Sequence, residues 1–157
     1  MPTATGLRGD YLEKLSRGCF KKREFKGVFA CDEFAKMKKL HKGDKFICNL
    51  ASSNRKGIHW ISIYVGENSI IYFDPLGIPC HDMYILKMME KSKKKIHTSN
   101  YKIQSFTSHF CGFFALSFLI ICENYCSPLK QVKKIFNEKD FLKNEKISID
   151  IITQQLK

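Results

Sequence analysis

The 157-residue chain is 44% hydrophobic and holds 13 Phe, 6 Tyr and 1 Trp, enough apolar mass for one packed core and too much for general disorder, so a single domain over 1–157 is expected. Seven cysteines without a CxxC pair, behind an opening MPTATGLRGDYLEKL that carries no secretory pattern, predict free thiols in a reducing compartment and speak against a disulfide framework or a metal site. The longest apolar run, 13 residues from Phe110 to Cys122, is too short to span a bilayer, and 27 Lys and Arg against 15 Asp and Glu give a net charge of +12 that favours a polyanionic partner, nucleic acid above all.

In chain order, Asp10 is placed to cap a helix over 11–18 that Gly18 ends, and the RGD at 8–10 reads as that cap. A second helix is predicted over Cys31–Leu40, before a turn at Gly43 and Asp44. Three runs rich in β-branched and aromatic residues, 45–51, 58–65 and 69–74, read as an antiparallel meander. The spacing of Met83, Ile85, Leu86, Met88 and Met89 predicts a helix over 81–95, and 101–106 returns to an extended pattern. A helix from Cys111 to near Cys126, another after Pro128 and an amphipathic stretch over 148–156 close the chain. The order is that of an α+β fold, a small mixed or antiparallel sheet flanked by helices.

The GEN between the second and third strand-like runs invites a two-residue hairpin loop at Gly66-Glu67, where a type II′ turn wants glycine first. If Val65 then faces Asn68, His59 faces Asp74 on the same side of the sheet, close enough for a carboxylate to accept an imidazole N–H. An acid so placed fixes the tautomer of a histidine and stabilises its imidazolium, which suits the histidine to take a proton from a nucleophile.

Cys111, where the polar TSHF gives way to the apolar helix, has two readings. Free cysteine is a small, commonly buried hydrophobe. A thiol at a helix N-terminus beside a histidine is also where thiolate is favoured and a nucleophile is made. The backbone N–H groups of Cys111 and Gly112, with the Gln104 amide seven residues upstream, could receive an oxyanion. Cys122 and Cys126, a helix-length later, read as structural.

Taken in order, GIHWISI, IYFDPLG, IQS and FCGFFALSFL resemble the adenovirus endopeptidase (adenain-like) cysteine proteases, including those of adenovirus-like DNA viruses and large DNA transposons, over residues 24 to 126. The resemblance implies a permuted relative of the papain fold, with His59 as general base, Asp74 as its orienting acid, Cys111 as nucleophile and Gln104 in the oxyanion hole. Beside these, Trp60 reads as a substrate-cleft residue and His109 as a loop or substrate-cleft residue. The resemblance implies cleavage of precursor capsid and core proteins at short motifs containing glycine, during virion maturation, in the virion and the host nucleus or cytoplasm. No cofactor is implied for the chemistry, no metal and no membrane; DNA and a viral peptide are the implied activators, and a monomer the implied state. The chain departs from adenoviral members in carrying Asp74 where many have Glu, in having no Cys between Cys80 and Cys111 to tether an activator peptide, and in running only 46 residues past Cys111, which predicts reduced C-terminal helices.

SUMO- and ubiquitin-like-specific proteases also combine His-Trp, Asp, Gln and Cys-Gly, and there a Trp such as Trp60 narrows the passage for a Gly-Gly tail. A third reading is a basic nucleic-acid-binding protein in which Cys111 only packs; it leaves the ordered His, Asp, Gln and Cys unexplained.

Overall fold

A computed structural model describes residues 7–20 and 23–157; the opening MPTATG and the first two lysines of the KKREFK run lie outside the described residues. In chain order the elements are α1 (Gly9–Cys19), β1 (Phe25–Ala30), α2 (Cys31–Phe34), β2 (Lys45–Asn49), β3 (Trp60–Val65), β4 (Ser69–Phe73), α3 (Met83–Lys91), β5 (Lys95–Thr98), α4 (Cys111–Asn124), α5 (Pro128–Ile135) and α6 (Phe141–Leu156). The five strands form one sheet in the order β1-β2-β3-β4-β5. Its centre is the expected antiparallel meander β2-β3-β4, and β1 and β5 join its two edges in parallel, so the sheet is mixed.

Alternation along the strands divides the core in two. Phe46, Cys48, Ile61, Ile63, Val65, Ile70 and Tyr72 point to the face covered by α2 and α3. Ile47, Ile71 and Phe73 point to the other, where α4 lies under α1, α5 and α6. Because α4 is covered on both sides it is apolar almost all round, with Phe114 through Cys122 buried without a break. The Phe73 and Phe118 rings stack at 4.3 Å and 9°, which ties the end of β4, one residue before Asp74, to the helix that begins at Cys111.

Several boundaries differ from expectation for local reasons. Asp10 does not cap α1: Arg8 holds that position, and the Asp10 carboxylate accepts from the Tyr11 N–H and from Arg8 inside the first turn. Gly18 lies within α1, which ends at Cys19. The second helix stops at Phe34 rather than Leu40. The run 81–95 is helical only from Met83, where Asp82 caps by accepting from the Ile85 N–H at 2.9 Å, to Lys91; residues 92–94 turn the chain and Lys95 opens β5. Residues 101–106 form no strand, and α6 starts at Phe141, seven residues before the stretch read as amphipathic.

The hairpin turns at a different place as well. Val65 pairs with Ile70 and the Gly66 N–H donates to the Ser69 carbonyl at 2.8 Å, so the two tip residues are Glu67 and Asn68. Among the described residues no helix is long and apolar enough to cross a membrane, and no cluster of His, Cys, Asp or Glu is placed to hold a metal ion.

Candidate active site

His59 precedes β3 and Asp74 follows β4. With the hairpin turning one residue later on each strand, the ladder carried past Trp60 would set His59 against Leu76, leaving Asp74 as its diagonal neighbour on the same face. The side chains close that diagonal: His59 Nε2 and Asp74 Oδ1 are 2.7 Å apart, with 14% and 3% of the two side chains exposed. Nε2 being so occupied, Nδ1 is the ring nitrogen left to face a thiol.

Asp74 is held by a turn of its own. Its carbonyl accepts from the Gly77 N–H at 2.8 Å, with Pro75 second in the turn, and its Oδ1 also accepts from the Leu76 N–H at 2.8 Å. Its N–H donates to the Ser99 hydroxyl, which donates back to the Asp74 carbonyl. Gly77 has φ +71, and a Cβ there would stand 3.1 Å from the Lys102 nitrogen, so only glycine lets the backbone of 100–102 come this close. The Pro75 carbonyl accepts from the N–H groups of both Ile103 and Gln104. The DPLG turn thus holds the acid and also carries the segment that bears Gln104.

Cys111 is the first residue of α4 and Phe110 its N-cap. Phe110 gives its carbonyl to the Phe114 N–H, so the N–H groups of Cys111 and Gly112 belong to the set at a helix start that has no partner inside the helix. Burial works to lower the His59 imidazole, but the hydrogen bond with Asp74 and the nearby Cys111 thiol outweigh it and raise its pKa to about 9. The imidazole is thus paired with the carboxylate and shares a cleft wall with Cys111. Burial pushes the Cys19 and Cys31 thiols up to about 11 and those of Cys48, Cys80 and Cys122 upward as well, which keeps all five as neutral packing groups.

A cleft of about 710 Å³ is lined in part by His59 and Cys111. Leu7, Arg8, Asp10 and Glu13 line it from the start of α1, Val28 to Ala30 from β1, and Arg55 to Ile58 from the loop before His59, together with Trp60. Trp60 is locked there: its indole N–H donates to the Leu7 carbonyl at 3.0 Å, and Cβ atoms added at Gly9 and Gly112 would each lie 3.3 Å from its ring. His109 is exposed and is not part of the cleft wall. Gln104 is buried, its amide N–H₂ donating to the Ser108 carbonyl at 3.0 Å.

Sequence reading passed over Asn49, which ends β2 in the cleft wall, where its side-chain oxygen accepts from the N–H groups of Ala51 and Ile58 and holds the loop beside His59. The available signal was an asparagine closing an otherwise apolar strand, a residue type depleted there. Ser108, Asn144 and Glu145, which brace the Gln104 segment, gave no such signal.

No family model matches the chain, and no curated protein matches it at a significant level. Solved structures do. The crystal structure of the African swine fever virus (ASFV) protease superposes with a TM-score of 0.55 at 16% identity, covering 94% of this chain and 68% of that one. A deletion variant of AvrA solved with IP6 and CoA gives a TM-score of 0.52 at 18% identity over 86% of this chain. The chain has a cysteine-protease-like fold. At these identities the likeness is one of fold, and this chain spans about half of AvrA, 54% of its length.

Proposed function

We propose that the chain is a cysteine endopeptidase of the adenain-like type, which cleaves precursor capsid and core proteins at short glycine-containing motifs. The observation that carries the reading is the pairing of His59 with Asp74 at 2.7 Å in the wall of a cleft that Cys111, the first residue of α4, also lines. In this reading the proton shared by His59 and Cys111 rests on the imidazole, as its raised pKa favours, while Cys111 Sγ bonds to the carbonyl carbon and the carbonyl electron pair moves onto oxygen. The N–H groups of Cys111 and Gly112, with the second N–H of the Gln104 amide, receive that oxyanion. Collapse of the intermediate breaks the C–N bond, the His59 imidazolium gives its proton to the leaving amine, and a thioester remains. Water, deprotonated by His59, then releases the acid and returns the thiol. Asp74 orients the ring and stabilises the imidazolium throughout.

In this reading glycine is the residue that passes Trp60, whose ring is held in the cleft wall by Leu7 and by the close approach of Gly9 and Gly112. The same feature favours a second reading, a protease for the Gly-Gly tails of SUMO- or ubiquitin-like proteins. A panel setting glycine-containing peptides against ubiquitin-like fusions separates the two: cleavage of peptides alone supports the first, and cleavage of the fusions alone overturns it in favour of the second.

DNA as activator rests on charge. Lys42 pairs with Glu67 at 2.7 Å while Lys94 donates to the Glu67 carbonyl at 2.9 Å, so the tip of the β3-β4 hairpin brings together one lysine from each of the 36–45 and 91–95 runs. In the same runs Lys36, Lys38, Lys39, Lys91, Lys93 and Lys95 are exposed. Exposed lysines of this kind support a phosphate-backbone contact independent of sequence. A viral peptide as second activator, a monomeric state and residence in the virion and host nucleus or cytoplasm belong to the same proposal.

A further inference from the structure

The amide of Gln104 is buried and makes one polar contact through its side chain, Nε2 donating to the Ser108 carbonyl at 3.0 Å. Its Oε1 is buried with no hydrogen-bond partner among the described residues. Turning the amide over would set two carbonyl oxygens face to face, so the direction of the free N–H depends on where the Ser108 carbonyl stands. That position is set from the C-terminal helix. The Ser108 hydroxyl donates to Glu145 Oε1 at 2.8 Å and accepts from the Phe110 N–H at 3.2 Å, directly before Cys111. One residue along α6, Asn144 is fully buried and donates to the Ile103 carbonyl at 3.0 Å, pinning the other end of the segment.

We propose that Glu145 is a positioning residue for the oxyanion hole: through Ser108 it aims the Gln104 amide and seats the turn that presents the first N–H groups of α4, which makes α6 part of the catalytic unit. The inference rests on the cysteine-protease reading above. It concerns a step at which charge develops on a carbonyl oxygen, and this gives a way to test it apart from packing. Alkylation of Cys111 by iodoacetamide places no oxyanion beside Gln104, so it needs His59 and the thiol but not the aimed amide.

Steady-state cleavage of a glycine-containing peptide is therefore compared with the rate of iodoacetamide labelling at Cys111, mapped by peptide mass, for the full chain and for Glu145→Ala, Ser108→Ala and Glu145→Gln. In Glu145→Ala and Ser108→Ala, kcat should fall about 10- to 100-fold with KM changed less than about twofold and Cys111 labelled at the wild-type rate. Glu145→Gln keeps an oxygen to accept the Ser108 hydroxyl and should restore kcat to within about threefold of wild type. The proposal is overturned if Glu145→Ala leaves kcat unchanged, if labelling of Cys111 falls in parallel with kcat, or if Glu145→Gln is as impaired as Glu145→Ala. Wild-type protein that labels at Cys111 but cleaves no peptide counts instead against the protease reading itself.

Discussion

His59 and Asp74 meet at 2.7 Å although neither lies in a strand and no ladder pair joins them. The contact is a diagonal across the open end of the β3-β4 hairpin, completed by side chains, and it depends on the turn that holds Asp74. The Phe73–Phe118 stack sets that turn against α4, which begins at Cys111.

Asp74→Asn keeps the shape and removes the charge. Cleavage should drop by about 10² or more in kcat, the scale of a lost acid-base contribution. The same change should alter stability against pH. The His59 pKa is raised from its ordinary 6.5 to about 9, so the stabilisation it brings is fully present below about 6.5 and is lost as pH rises through about 9. Urea midpoints measured from pH 6 to pH 10 should decline over that window in the wild type and stay flatter in Asp74→Asn.

Gly77→Ala tests the link between the acid and Gln104. At φ +71 any other residue is strained, by about 1–2 kcal/mol, and the added Cβ would press on the backbone of 100–102. Lower thermal stability together with a fall in kcat beyond what unfolding explains is the expected outcome. A destabilised protein with full kcat would show that the turn serves packing alone.

Nucleic acid should act through the exposed lysines of the 36–45 and 91–95 runs. DNA stimulation of peptide cleavage should fall steeply between about 50 and 200 mM salt, as counterion release requires. A triple change of Lys91, Lys93 and Lys95 to Glu should weaken stimulation while leaving the rate without DNA unaltered. Stimulation insensitive to salt, or none, removes DNA from the account.

The sequence disclosed most where chemistry and local pattern coincide. The meander, the α4 start at Cys111 and the pairing of His59 with Asp74 could all be read, the last even though the hairpin turns one residue later than the glycine indicated. The misplaced turn did no harm because a shift of one residue on each strand keeps both residues on one face. The edges of the sheet could not be read. β1 carries a register shift between Phe25 and Gly27, where φ is +135, which breaks its alternation, and it pairs in parallel, so no hairpin turn announces it. β5 is four residues of KIHT at the end of a lysine run, with Ile96 as its one apolar side chain, as suits an exposed edge. The Glu145–Ser108–Gln104 chain joins residues 41 positions apart through hydrogen bonds alone, which leave no periodicity to find.

The most direct test of the account is the rate at which the wild type and Cys111→Ala, both shown to be folded by circular dichroism, cleave a glycine-containing peptide library. The account predicts turnover by the wild type and a rate at least about 10³-fold lower for Cys111→Ala, since the nucleophile itself is removed. Equal rates for the two proteins, or no cleavage by the wild type with or without DNA, would contradict it.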